Sequence, residues 1–204
     1  MFDFFDFIDI IIKGGPVMVP LLACSIISLA VVIERMIFWR RARSRGPVEE
    51  LLKLVEQREF AQATEFGRKL DLPAARVLTA GLEHRNPSLA KALEVAAQAE
   101  IPVLKKRLTI LDTIITLAPL LGLLGTITGM ISSFGIMSEA GLGQPHAVTG
   151  GVAEALIATA AGLLIAILTL VPYNYFSNRA ERELEEIEYY GSRLELLLAE
   201  QEGN

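Results

Sequence analysis

The sequence predicts an all-α membrane protein, with three transmembrane helices joined to long helical extensions on the cytoplasmic side. Three observations predict it. The 204 residues are 52% apolar, and no charge falls from Gly14 to Ile33 (20 residues), Thr113 to Ser138 (26) or Ala155 to Asn178 (24). A bilayer core needs about 20 apolar residues of helix, so each block is long enough to cross. Arg35, Arg40, Arg41, Arg43, Arg45, Lys105, Lys106, Arg107, Arg179 and Arg182 flank the blocks and all fall on one side of a three-span topology. The positive-inside rule makes that side the cytoplasm. The charged stretches between the blocks carry helical spacing and no strand alternation. A soluble globular domain and a disordered chain are thereby excluded. So is a disulfide scaffold, because the single cysteine, Cys24, lies inside the first block.

Residues 1–13 hold four Phe, Asp3, Asp6, Asp9 and one base, Lys13. They read as a short interfacial helix on the outer surface. Residues 14–38 are the first span. Its acidic lead-in, the absence of a small-residue cleavage site and the arginines after it predict a retained span, not a cleaved signal peptide. Residues 39–108 carry 14 of the 19 Lys and Arg against 9 acids. They are too charged for lipid and read as a cytoplasmic helical region. Val48, Leu51, Leu52 and Val55 repeat at helical spacing after Pro47. Asn86-Pro87-Ser88 sets a capping residue before a proline at a first helical position, and Leu89, Leu93, Ala96 and Ala97 continue that face. A region of this size has a thin core alone, so it is expected to pack on cytoplasmic extensions of the spans. Pro102 is expected to kink the helix leading into the second span.

Residues 109–138 are that second span. Gly122, Gly125 and Gly129 permit close helix approach, and Pro119 is expected to kink the helix and free a carbonyl. Thr109, Thr113 and Thr116 form a polar stripe near the cytoplasmic end, with Thr126, Thr128, Ser132 and Ser133 further in. Each hydroxyl either satisfies a backbone carbonyl or orients water along a hydrated path. Residues 139–149, without Lys or Arg, are a short outer loop. Residues 150–177 are the third span. Residues 178–204 continue it as a cytoplasmic C-terminal helix, with Leu184, Ile187, Leu194, Leu197 and Leu198 beneath a solvated acidic face.

The third span is two-faced. On an ideal wheel of about 100° per residue, Gly151, Ala155, Ala158, Gly162, Ala166 and Thr169 share one side, while Leu156, Leu163, Leu164, Ile167 and Leu168 take the other. Small residues let helices approach closely and bulky ones face lipid. Glu154 and Thr159 flank the small face, about 140° apart on the same wheel. A carboxyl deep in a bilayer costs about 2.5–3.5 kcal/mol on insertion scales unless it finds water or a partner. Glu154 therefore either sits in a cavity, is held neutral by hydrogen bonds, or reaches water at the outer membrane edge.

These residues resemble a known family. Ala118-Pro119-Leu-Leu-Gly122-Leu-Leu-Gly125-Thr126, followed by Gly129, resembles the second-span signature of ExbB, TolQ and MotA type ion-channel subunits. Gly151-Val-Ala-Glu154-Ala-Leu-Ile-Ala-Thr159-Ala-Ala-Gly162-Leu resembles the third-span signature of ExbB and TolQ. The opening Gly-Gly-Pro-Val-Met-Val-Pro-Leu, with its Glu34-Arg35 and Trp39-Arg40-Arg41 exit, is similar to short ExbB-like proteins. MotA is the weaker match, having four spans. The resemblance implies a homopentamer in the inner membrane of Gram-negative bacteria, with a periplasmic N-terminus and a cytoplasmic C-terminus. The pentamer would enclose the single spans of two copies of an ExbD-like partner, whose aspartate is protonated and deprotonated by the proton-motive force. By position, Thr126 and Thr159 would line that site, with Glu154 as the third-span glutamate. In the ExbB case rotation of one ring within the other passes work through a TonB-like protein to outer-membrane receptors. A TolQ-like or gliding-type motor is the alternative. The reading needs no cofactor, no metal and no nucleic acid; its only other partner is membrane lipid.

Two further classes compete. A non-conducting scaffold would use the small faces for packing alone. An intramembrane enzyme would need a nucleophile with a base in reach. The only histidines, His84 and His146, lie outside the blocks, and no metal-ligand spacing occurs. No catalytic residue is therefore expected.

Overall fold

The computed structural model describes residues 13–41, 46–140 and 145–202. Seven helices occur among the described residues: α1 (Met18–Arg41), α2 (Gly46–Glu56), α3 (Phe60–Arg68), α4 (Pro73–Glu83), α5 (Arg85–Leu104), α6 (Leu108–Ala140) and α7 (Pro145–Glu202). Three stretches are long and apolar enough to cross a membrane: Met18–Arg40, Leu108–Ser138 and Thr149–Gln201. The predicted interfacial helix lies almost wholly outside the described residues. α6 and α7 both run into the stretch read as the 139–149 loop, leaving 141–144 outside the described residues. Pro145 stands at a first helical position, where a missing N–H costs nothing.

The chain divides into two compact units. The first comprises Met1–Ile33 and Arg107–Asn174. Here Val17, just before α1, is buried, and α1 itself buries Met18, Leu21, Cys24, Ser28 and Val31, three or four residues apart. α7 does the same with Ala155, Ala158, Gly162, Ala166 and Thr169. Such spacing keeps one stripe of a helix against its neighbours. Val17, Met18, Leu21 and Cys24 close on Ile114 and Ala118 of α6, with Leu121, Ala161 and Ile165 packed beside them. The opposite faces stay exposed, with Ile26 and Leu29 on α1, Leu120 and Ile131 on α6, and Leu156, Leu163, Ile167 and Leu168 on α7. Bare Leu and Ile faces of this length suit lipid tails. α6 runs on through Pro119 and α7 through Pro172. Each proline removes one i→i−4 donor, but the rest of the helix ladder holds.

The second unit comprises Glu34–Lys106 and Tyr175–Asn204. Its central element is α4, which buries Pro73, Ala74, Ala75, Val77, Leu78, Thr79, Gly81 and Leu82. α2 contributes Val48, Leu51, Leu52 and Val55. The last part of α7 adds Ile187, Tyr190, Leu194 and Leu198. The thin core of the 39–108 region is thus completed by helix from the chain's far end. Polar ties reinforce it. Arg193 Nη1 donates to both Glu49 carboxylate oxygens at 2.8 and 2.9 Å, and Gln201 Nε2 donates to the Val55 carbonyl at 3.0 Å. Arg76 Nε and Nη2 donate to the Glu100 carboxylate at 2.9 and 2.7 Å. That carboxylate holds the Arg76 guanidinium above the usual arginine range, and Glu49 does the same for Arg193.

Two local expectations are corrected. Asn86 and Ser88 both have extended backbones (ψ 128° and 112°), and the Lys91 N–H reaches the Ser88 hydroxyl at 3.4 Å. The capping residue is therefore Ser88, after the proline: Ser88 is itself extended, so the regular helix begins only beyond it and Pro87 is not a first helical position. Pro102 lies inside α5, but the chain turns only after Leu104, where Arg107 takes a left-handed φ of 63°. A proline within the last turn loses little, since the helix is ending anyway.

Candidate functional site

The seam between α6 and α7 is built from residues without bulk. Ala118 meets Gly162, Gly122 meets Ala158 and Thr159, Gly125 meets Ala158, Gly129 meets Gly151 and Ala155, and Ser133 meets Gly151. One set of numbers rises as the other falls, so the helices are antiparallel. A Cβ on Gly122 would lie 3.0 Å from both the Ala158 carbonyl oxygen and Thr159 Cα, and one on Gly129 would lie 2.9 Å from the Gly151 carbonyl oxygen. A Cβ on Gly162 would run into the Ala118 carbonyl. Within lipid no hydrophobic force joins two helices, so van der Waals contact between close backbones and hydrogen bonds must hold them.

Thr159 supplies such a bond. Its hydroxyl donates to the Gly122 carbonyl at 2.9 Å, across the seam. The hydroxyls of α6 behave differently. Thr126 donates to Leu123 at 2.6 Å, Thr128 to Leu124 and Gly125 at 3.1 Å each, Ser133 to Gly129 at 2.9 Å and Thr113 to Thr109 at 2.8 Å. All of these return to carbonyls of their own helix, three or four residues back. A hydroxyl has one proton and two lone pairs. Thr126 and Thr159, with their protons engaged, present acceptor oxygens. Both are partly exposed within the single chain.

Glu154 faces another neighbour. It precedes Thr159 by five residues, about 7.5 Å along the helix axis. It is half-buried. Its carboxyl lies over Gly15: a Cβ placed there would fall on Oε1 and stand 2.8 Å from Cδ. Gly15 has a φ of 73°, a conformation that glycine adopts without strain. The Met18 N–H donates to its carbonyl at 3.1 Å, closing the turn that starts α1. The structure therefore brings Thr159 to α6 and Glu154 to the head of α1.

Ser28 is a residue that pattern reading passes over. It forms a hydrogen bond with Thr169 at 2.8 Å, both hydroxyls buried. Thr169 uses its own proton on the Ile165 carbonyl at 2.7 Å. Ser28 is therefore the donor, and a two-bond chain ties α1 to α7. The available signal is a lone hydroxyl on the same stripe as Leu21, Cys24 and Val31. Among the described residues no three of His, Cys, Asp and Glu converge as a metal site would require.

The sequence model of the MotA/TolQ/ExbB proton channel family matches residues 69–189. The chain is 40% identical over 191 residues to biopolymer transport protein ExbB-like 3 of Synechocystis sp., covering 90% of this chain and 91% of that protein. It is 36% identical over 207 residues to ExbB-like 1 of the same organism, covering 95% and 79%. It is 30% identical over 194 residues to the Tol-Pal system protein TolQ of Haemophilus influenzae, covering 85% of each.

Proposed function

Because the chain belongs to the MotA/TolQ/ExbB proton channel family, we propose that it is the channel subunit of an inner-membrane motor of the ExbB–ExbD type, driven by the proton-motive force. In this reading five copies surround the single spans of two ExbD-like partners. The N-terminus is periplasmic and the C-terminus cytoplasmic. The work passes through a TonB-like protein to outer-membrane transport.

The observation that carries the reading is the polar content of an otherwise small and apolar seam. Thr159 and Thr126 each engage their proton within the protein and keep lone pairs open. Such oxygens suit a group that arrives with a proton to donate, such as hydronium or the protonated acid of a partner. Glu154, at the outer end of the same helix, adds a half-buried carboxyl. The spans themselves carry no second acid near these groups: Asp112 lies near the other end of α6, about 20 Å from Thr126 along the axis. The partner's acid would complete the relay.

Thr159→Val tests the role directly, since valine keeps the shape and removes the hydroxyl. The expected result is loss of coupled transport by tenfold or more, with the complex still assembled at its normal mass. Full transport in that variant would remove Thr159 from the ion path. The similarity to TolQ favours a second reading, in which the same motor serves cell-envelope maintenance. Deleting the gene separates the two. Loss of energised uptake of iron chelates with an intact envelope fits the ExbB-like reading; detergent sensitivity with normal uptake fits the Tol-like one.

A further inference from the structure

The Gly14-Gly15-Pro16 turn at the head of α1 is set against one turn of α7. A Cβ on Gly14 would meet Ile157 Cγ2 at 3.1 Å, and a Cβ on Gly15 would fall on the Glu154 carboxyl. Glu154 and Ile157 are three residues apart, so they share a helix face. Two separate conditions keep residue 15 free of a side chain. One is its left-handed backbone, with φ at 73°. The other is the carboxyl itself. The first would suit any glycine turn; the second is peculiar to this place.

We infer that Gly15 is a positioning residue for Glu154: the bare backbone of the turn is a seat that fixes the carboxyl at the outer end of α7. A carboxyl near the membrane edge has hydrocarbon on one side and water on the other. Lying over a residue without a side chain, it occupies space that a Cβ at residue 15 would take. Any methyl at residue 15 displaces it. The inference rests on the reading of Glu154 as part of the ion path.

The test uses the full chain. Gly15→Ala is made alone and together with Glu154→Ala, and the melting temperatures of the four purified proteins form a cycle. The expected result is a drop for Gly15→Ala that is smaller when Glu154 is replaced, leaving only the strain of the left-handed backbone. Equal drops in both backgrounds would overturn the seat. A hydrophobic carbodiimide, which adds to protonated carboxyls, then reads where the Glu154 carboxyl lies. Peptide mass spectrometry should show adduct at Glu154 forming at least threefold faster in Gly15→Ala, with the rate at Asp112 unchanged. An unchanged rate at Glu154 would overturn the positioning role. Proton flux in proteoliposomes that hold the chain with an ExbD-type partner keeps the two ideas apart. Wild-type flux in Glu154→Ala would overturn the ion-path reading, while the melting cycle still judges the seat.

Discussion

Single atoms decide most at Thr159, Ser28 and Glu154. The Thr159 hydroxyl donates across the seam from α7 to the Gly122 carbonyl of α6. Thr159→Val should therefore lower thermal stability only slightly, by about 1 kcal/mol, as for one net hydrogen bond. Thr159→Ser should restore both stability and transport, because serine keeps the donor. Ser28→Ala removes the donor to Thr169 from a fully buried pair. Thermal melting in detergent should show a loss of about 0.5–1.5 kcal/mol. A loss near zero would mean that Thr169, bonded to Ile165, needs no second partner. Glu154→Ala should impair coupled transport; a wild-type phenotype would leave Glu154 as a carboxyl that merely reaches water.

At the scale of the element, packing follows the glycines. Gly162→Ala places a methyl against the Ala118 carbonyl and must push α6 and α7 apart. About 1–3 kcal/mol of destabilisation is expected from such overpacking. Gly135→Ala, on the same α6 but with nothing within 4 Å of its Cβ position, should be neutral or slightly stabilising. Comparing the two melting temperatures separates close approach from helix propensity. In the second unit, Glu100→Gln leaves Arg76 paired only with Asp71. Because the Arg76 pKa is raised, its contribution is complete below the ordinary arginine value and lost only as pH climbs through the raised one. The wild-type pair should thus show no alkaline loss across the neutral range, and thermal unfolding should show the variant less stable by about 1–2 kcal/mol, discounted for the part-exposed guanidinium. Elements were legible in the sequence where physics is one-dimensional. Charge-free length marks the spans, and the 3.6 period marks Val48, Leu51, Leu52 and Val55, all buried. What a pattern cannot carry is the identity of an atom's partner across space. The glycines at 122, 125 and 129 announce close approach, but not that Thr159 answers Gly122 or that Gly15 lies under Glu154. The Asn86 cap failed for a local reason, since the backbone stays extended through Ser88 and the helix starts two residues later than the proline signal suggests.

For the molecule as a whole, the long exposed apolar faces of α1, α6 and α7 leave each chain to meet lipid or other copies of itself. Native mass of the chain purified alone should correspond to five copies, and co-purification with an ExbD-type partner should add two. A monomer that retains no partner would turn the small-residue seam into the packing device of a scaffold. The most direct measurement is proton flux into proteoliposomes under an imposed potassium diffusion potential, for the chain with its partner. Flux should appear for the pair, fall at least tenfold in Thr159→Val at unchanged complex mass, and return in Thr159→Ser. Flux that is absent from the assembled pair, or indifferent to the Thr159 hydroxyl, would contradict the account.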